Sequence, residues 1–165
     1  MAAAVPATAV VRRTHSPEQT ESLAAALGPS LATGDLVLLE GPLGAGKTRF
    51  VTGLARGMNA RGRVRSPSYT LVNEYSLDGR KLYHLDLYRL ESADPQGLGL
   101  DEMLERGVVV VEWGDRLPES SGQEALVLAF ALDGESDRSI AARARGARGG
   151  ELVEIWRRVL PGGPE

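Results

Sequence analysis

The sequence predicts an α/β fold, a three-layer sandwich with a mainly parallel central sheet and an antiparallel strand pair late in the chain. Three observations carry this. LVLLE (36–40) and VVVVE (108–112) are uninterrupted apolar runs, the pattern of strands buried on both faces. Helical periodicity alternates with strand-like segments along the chain. A glycine-rich loop, GPLGAGKT (41–48), joins the first apolar run to a helix, the strand–loop–helix order of a P-loop NTPase sandwich. A length of 165 residues fits one domain over 1–165 with one core.

Each element follows from local chemistry. TAVVRR (8–13) reads as a first strand. Ser16-Pro17-Glu18-Gln19 is a helix start, with serine as cap, proline at the first helical position and glutamine three residues after the cap. That helix is expected to run to about Leu31, with Leu23, Leu27 and Leu31 on one face. Gly34-Asp35 turns the chain into LVLLE. A second helix is expected over about 47–58, ending near Gly57. An extended segment at 70–75, a turn at 77–80 and KLYHLDLYRL, alternating around Tyr83, Leu85 and Leu87, suggest two strands. Asp94-Pro95 opens a helix through Leu104, before VVVVE. Residues 125–132 and 138–144 form the late strand pair, and GELVEIWRRVL is a C-terminal helix or turn. Residues 1–7, 145–150 and 160–165 are expected to be the mobile parts.

Composition narrows the chemistry. The chain is 42% hydrophobic and 25% charged, with net charge -3, so it is not globally a polyanion binder. It has no cysteine and two histidines, which excludes a disulfide framework and disfavours structural zinc. Its apolar runs are far shorter than the roughly 20 residues of a membrane span, and its N-terminus lacks a signal-peptide pattern, so a cytoplasmic protein with no membrane partner is expected. Lys47 and Lys81 are the only lysines among nineteen cationic side chains.

Lys47 ends the G-x-x-x-x-G-K-[ST] pattern. Gly41, Gly44 and Gly46 allow backbone N–H groups to close around phosphate oxygens, and the helix that follows directs its N-terminal dipole at the same anion. Lys47 would span the β- and γ-phosphates, and the Thr48 hydroxyl would bind Mg²⁺. A phosphate loop needs an acidic partner at a neighbouring strand end. Glu112, closing VVVVE, and Asp86, inside YHLDLYR, are the two candidates. Asp86 could hold the ion through water, orient the attacking water, or pair with Arg89. His84 reads as a hydrogen-bonded structural histidine and Trp113 as packing. Ser66, Ser68 and Thr70 lie where a γ-phosphate-sensing loop would sit, beside Arg61, Arg63 and Arg65.

GPLGAGKT, SPSYTLVNEY (66–75), LYHLDLYRL (82–90) and VVEW (110–113), in that order and spacing, resemble the TsaE (YjeE) family of small bacterial P-loop ATPases. The resemblance covers about residues 16–117 and is looser beyond. It implies an ATP- and Mg²⁺-dependent ATPase required for threonylcarbamoyl modification of the tRNA adenosine beside the anticodon. Such a protein acts on a TsaD–TsaB complex, is not itself the transferase, and meets tRNA indirectly through the complex. The resemblance assigns catalytic roles to Lys47, Asp86 and Glu112, and Mg²⁺ to Thr48 and Glu112. Nucleotide contacts fall to Thr20, Gly44, Ala45, Gly46, Lys47, Thr48, Arg49 and Arg138. Pro42, Arg49 and Ser68 depart from the family pattern, which usually carries Asp, a small hydroxyl residue and Thr at those places.

Two other readings have their own signatures. A small-molecule kinase shares the size and the phosphate loop but adds an acceptor site and an arginine-bearing lid, which Arg143, Arg145 and Arg148 could imitate. A GTPase would carry an Asn-Lys-x-Asp guanine reader, which the sequence lacks. No arginine is evidently placed as a finger, so hydrolysis by the isolated chain is expected to be slow, with a docked partner completing the site.

Overall fold

The computed structural model describes residues 9–160. β1 (Val10–Thr14) leads into α1 (Pro17–Leu27). Ser16 caps α1 by accepting the Gln19 N–H at 3.1 Å, with Pro17 in the first turn. The Gln19 side chain accepts from the His15 N–H at 2.7 Å, one residue before the cap itself. The helix stops at Leu27 and tightens into a 3-10 turn over Gly28–Ser30, short of the expected Leu31, because Pro29 has no N–H to continue the ladder. β2 (Leu36–Glu40), the phosphate loop and α2 (Lys47–Gly57) follow as expected.

β3 (Val72–Ser76) and β4 (Lys81–Asp86) form a hairpin. Residues 82–87 are buried throughout rather than alternately, since β4 lies inside the sheet with both faces covered. The single helix expected over 94–104 is two, α3 (Pro95–Leu98) and α4 (Leu100–Arg106), broken where Gly99 takes φ 75°. β5 (Gly107–Glu112), β6 (Ala125–Leu132), β7 (Arg138–Arg145) and α5 (Gly146–Arg158) complete the described chain.

The strands form a seven-stranded sheet in the order β1-β7-β6-β2-β5-β4-β3. The centre is parallel, through β6–β2, β2–β5 and β5–β4. Antiparallel pairing occurs at both margins, through β1–β7 and β7–β6 on one side and β3–β4 on the other. One face, with Val37, Leu39, Val110 and Leu128, is covered by α1, α2 and α5, and the other, with Leu38, Leu85 and Val111, by α4 and the turn after β5. No helix among the described residues is long and apolar enough to cross a membrane.

The expected mobility of residues 145–150 is not what the structure has. Arg145 ends β7, and the rest form the first turns of α5. The glycines there serve close approach: a Cβ on Gly149 would lie 2.3 Å from the Ala125 carbonyl oxygen. Arg148 clamps the same turn, donating from two nitrogens to Asp35 at 2.8 Å each. Farther along α5, buried Trp156 donates to the Val10 carbonyl at 3.1 Å and packs on Phe50 of α2. The expectations for 1–7 and 161–165 fall on residues outside the described ones.

The position of α2 depends on a seam with α1. A Cβ on Gly53 would stand 2.2 Å from the Glu21 carbonyl oxygen, and one on Gly57 2.1 Å from that of Ala25. Gly53→Ala therefore gains roughly 1 kcal/mol of helix propensity but is expected to lower stability overall by about 1–3 kcal/mol through overpacking. Denaturant unfolding of the two proteins checks this.

Candidate functional site

The site lies at the C-terminal ends of the parallel strands, where sheets of this class bind ligands. Gly44 at φ 79° and Gly46 at φ 101° hold left-handed backbone that other residues adopt at a cost, and Gly46 is the residue before α2 begins. Lys47, Thr48 and Arg49 thus form the first turn of α2, whose free N–H groups face the loop. The Lys47 ammonium is buried. It donates to the Gly41 carbonyl and, at 3.1 Å, to that of Pro42, and lies 3.8 Å from the centre of the Trp113 ring. Burial lowers its pKa from the usual lysine value, an effect opposed by the carboxylates of Glu112, Asp115 and Asp86.

The two predicted acids meet across neighbouring strands: Asp86, ending β4, is the register partner of Glu112, ending β5. Both are buried. Thr48 Oγ1 lies 2.9 and 3.0 Å from the two Glu112 oxygens and donates to that carboxylate. His84 Nε2 is 2.6 Å from Glu112 Oε2. Glu112 is therefore not the exposed strand-end charge that such a position often carries. Asp86 accepts from the Ser68 hydroxyl at 3.2 Å, the Ser66 hydroxyl at 3.4 Å and the Tyr88 N–H at 2.9 Å. Arg89, considered as its partner, instead lies over the Tyr69 ring at 4.3 Å.

The backbone is bent sharply beside each acid. Leu71, whose carbonyl accepts the Asp86 N–H at 3.0 Å, has φ 68°, and Trp113, next to Glu112, has φ 59°. Left-handed backbone at bulky residues is costly and persists where surroundings over-determine it. At Trp113 that conformation directs the chain into the turn at Gly114, which packs on Leu38.

Two cavities flank the loop. The larger, about 460 Å³, is lined by Lys47, Thr48, Asp86, Glu112, Ser68 and Trp113 among others. The smaller, about 140 Å³, lies between the start of α1 and the β6–β7 hairpin, bounded by Thr20, Gly44, Ala45, Arg49, Ser136 and Arg138. Of the predicted nucleotide residues, Lys47 and Thr48 line the larger, Thr20, Ala45 and Arg138 the smaller, and Gly44, Gly46 and Arg49 both. Within the smaller, Arg138 reaches the Gly44 carbonyl at 3.4 Å, and Arg49 pairs with Glu21 of α1 at 2.8 Å. The Thr20 hydroxyl is bonded to that of Thr14 at 2.8 Å. Tyr69, Tyr88 and Arg89 line the larger cavity without having been predicted. Their signal, an aromatic or basic residue one to three positions from a predicted site residue, is too common to single out.

The donor set fits Mg²⁺. Among the described residues no group of three or more His, Cys, Asp or Glu is arranged to hold a metal. Mg²⁺ needs no such cage: it takes one or two protein oxygens, keeps waters and shares phosphate oxygens. Thr48 and Glu112 supply two such oxygens side by side beneath the loop.

Of the three arginines that could have formed a lid, two are paired within the fold, and the third, Arg145, ends β7 with Nη1 buried and without a hydrogen-bond partner. Arg143 pairs with Glu40 at 3.1 Å, and Arg148 with Asp35 at 2.8 Å.

Comparison with known proteins shows the family. The family model described as "Threonylcarbamoyl adenosine biosynthesis protein TsaE" matches residues 14–140. A Bacillus subtilis (strain 168) relative, named tRNA threonylcarbamoyladenosine biosynthesis protein TsaE, is 39% identical over 143 residues, covering 86% of this chain and 90% of that one. A Nostoc relative of the same name is 44% identical over 106 residues, covering 61% of this chain and 65% of that one. The crystal structure of Bacillus subtilis YdiB superposes with a TM-score of 0.75 at 34% identity, covering 95% of this chain and 98% of that one. By the extent of these matches, the chain belongs to the TsaE family of threonylcarbamoyladenosine biosynthesis.

Proposed function

We propose that this protein is a Mg²⁺-dependent ATPase that supports threonylcarbamoyl modification of tRNA by acting on a TsaD–TsaB complex, contacting tRNA only through that complex. The observation that carries the reading is the convergence of Lys47 and Thr48, on the first turn of α2, with Asp86 and Glu112 around one cavity. The β- and γ-phosphates lie in the 41–48 loop against the α2 N-terminus, with the nucleoside toward Thr20, Arg49 and Arg138. Lys47 leaves the Gly41 and Pro42 carbonyls to meet phosphate oxygens. Thr48 and Glu112 hold Mg²⁺, which when bound neutralises charge developing on the phosphates. Asp86 orients water at the γ-phosphate, and its bonds to Ser66 and Ser68 link that position to the 66–70 loop. Arg143 and Arg148, two of the arginines a metabolite kinase would use as a lid, are engaged by Glu40 and Asp35, and a docked partner completes the charge stabilisation.

Lys47→Ala is expected to weaken ATP binding by about 10–100-fold, the worth of a charge-assisted hydrogen bond. Calorimetric titration measures this, and unchanged affinity would exclude the loop as the phosphate site. In the wild type, affinity is expected to fall as pH rises through the lowered Lys47 pKa, below the usual lysine range, because only the ammonium binds phosphate.

Reconstitution tests the partner. ATP hydrolysis and tRNA modification should both rise when the chain is combined with TsaD–TsaB, and Glu112→Gln should lower that stimulated hydrolysis by about 100-fold. Stimulation by a small metabolite alone, without the protein complex, would favour the kinase reading.

A further inference from the structure

We infer that His84 is a positioning residue for Glu112, holding the carboxylate in the orientation that receives Mg²⁺. The inference deepens the ATPase reading and rests on it. His84 is wholly buried, so it touches neither solvent nor a ligand in the cavity. It lies on β4 opposite Val110 of β5. Strand alternation puts it on the same face as Asp86, two residues on, and puts Glu112 on the same face as Val110. The imidazole therefore reaches diagonally across the strand pair, and Nε2 comes within 2.6 Å of Glu112 Oε2.

The other ring nitrogen fixes the direction of this bond. His84 Nδ1 is buried with no hydrogen-bond partner. A proton on Nδ1 would be an orphaned donor, whereas a bare lone pair is the cheaper group to leave unpaired. The tautomer with hydrogen on Nε2 satisfies the site, and that hydrogen is donated to Glu112 Oε2. A residue selected for packing alone gains nothing from a ring with one unsatisfied nitrogen. A fixed donor aimed at a buried carboxylate accounts for it.

The contact is needed in the loaded site as well. Thr48 has a single hydroxyl hydrogen, shared between the two Glu112 oxygens. A cation takes a lone pair of the Thr48 oxygen and leaves that one hydrogen for a single Glu112 oxygen, so among the described residues His84 is the side chain that holds Oε2 when the hydrogen goes to Oε1. Carboxylate ligands oriented by such an outer hydrogen bond typically lose 10–100-fold in metal affinity without it.

The test compares binding of a non-hydrolysable ATP analogue with Mg²⁺ and in EDTA, by calorimetry, for wild type, His84→Leu and His84→Gln. The ratio of the two affinities is the readout. His84→Leu should cut the ratio by about 10-fold or more while its affinity in EDTA stays within about twofold of wild type. His84→Gln keeps an amide donor near the Nε2 position and should restore most of the ratio. Equal loss of affinity with and without Mg²⁺ would overturn the inference, as would an unchanged ratio in His84→Leu or a glutamine variant no better than leucine. A wild type that binds no nucleotide would instead sink the ATPase reading, and this inference with it.

Discussion

A carboxylate in the interior of a protein must be supplied with hydrogen or charge, and Glu112 has both close by. Its bonded partners are the Thr48 hydroxyl and the His84 ring, with the Lys47 ammonium near enough for its field to be felt. Those three residues come from two elements distant in the chain, α2 and β4, so the carboxylate is satisfied only when both are docked against β5. The parallel register aligning Asp86 with Glu112 and the α1–α2 seam at Gly53 and Gly57 both serve that docking.

Much of this was legible in the sequence because it is written locally. The phosphate loop, the two buried strands and the cap at Ser16 each depend on residues within one or two turns of one another. What stayed hidden was set by distant contacts. The first turns of α5 are rich in glycine and read as mobile, yet Arg148 is bound to Asp35, 113 residues away in sequence. Tertiary packing there overrides propensity. The His84–Glu112 bond joins residues 28 apart, and it follows from a β4–β5 register that no local pattern specifies. His84 was recognisable as a bonded histidine; its partner was not.

The site residues fall into two groups. Lys47, Thr48, Asp86 and Glu112 line one cavity. Thr20, Arg49 and Arg138 surround a second, smaller space on the other side of the loop, each already tied to a protein partner. A ligand reaching that space meets a wall already held in place, so it has less side-chain entropy to quench on binding.

The scarcity of lysine gives the buried Lys47 a chemical consequence. An amine whose pKa is lowered by burial is a better nucleophile at a given pH than an ordinary lysine, and the chain has only Lys81 to compete with it. Lys81 is half-buried at the start of β4, at the opposite end of that strand from Asp86. Acylating reagents small enough to enter the cavity would thus read two side-chain amines at the two ends of the sheet. On the proposed phosphate site an anion in the loop would cover Lys47, which would make the ratio of modification at the two positions an internal gauge of occupancy.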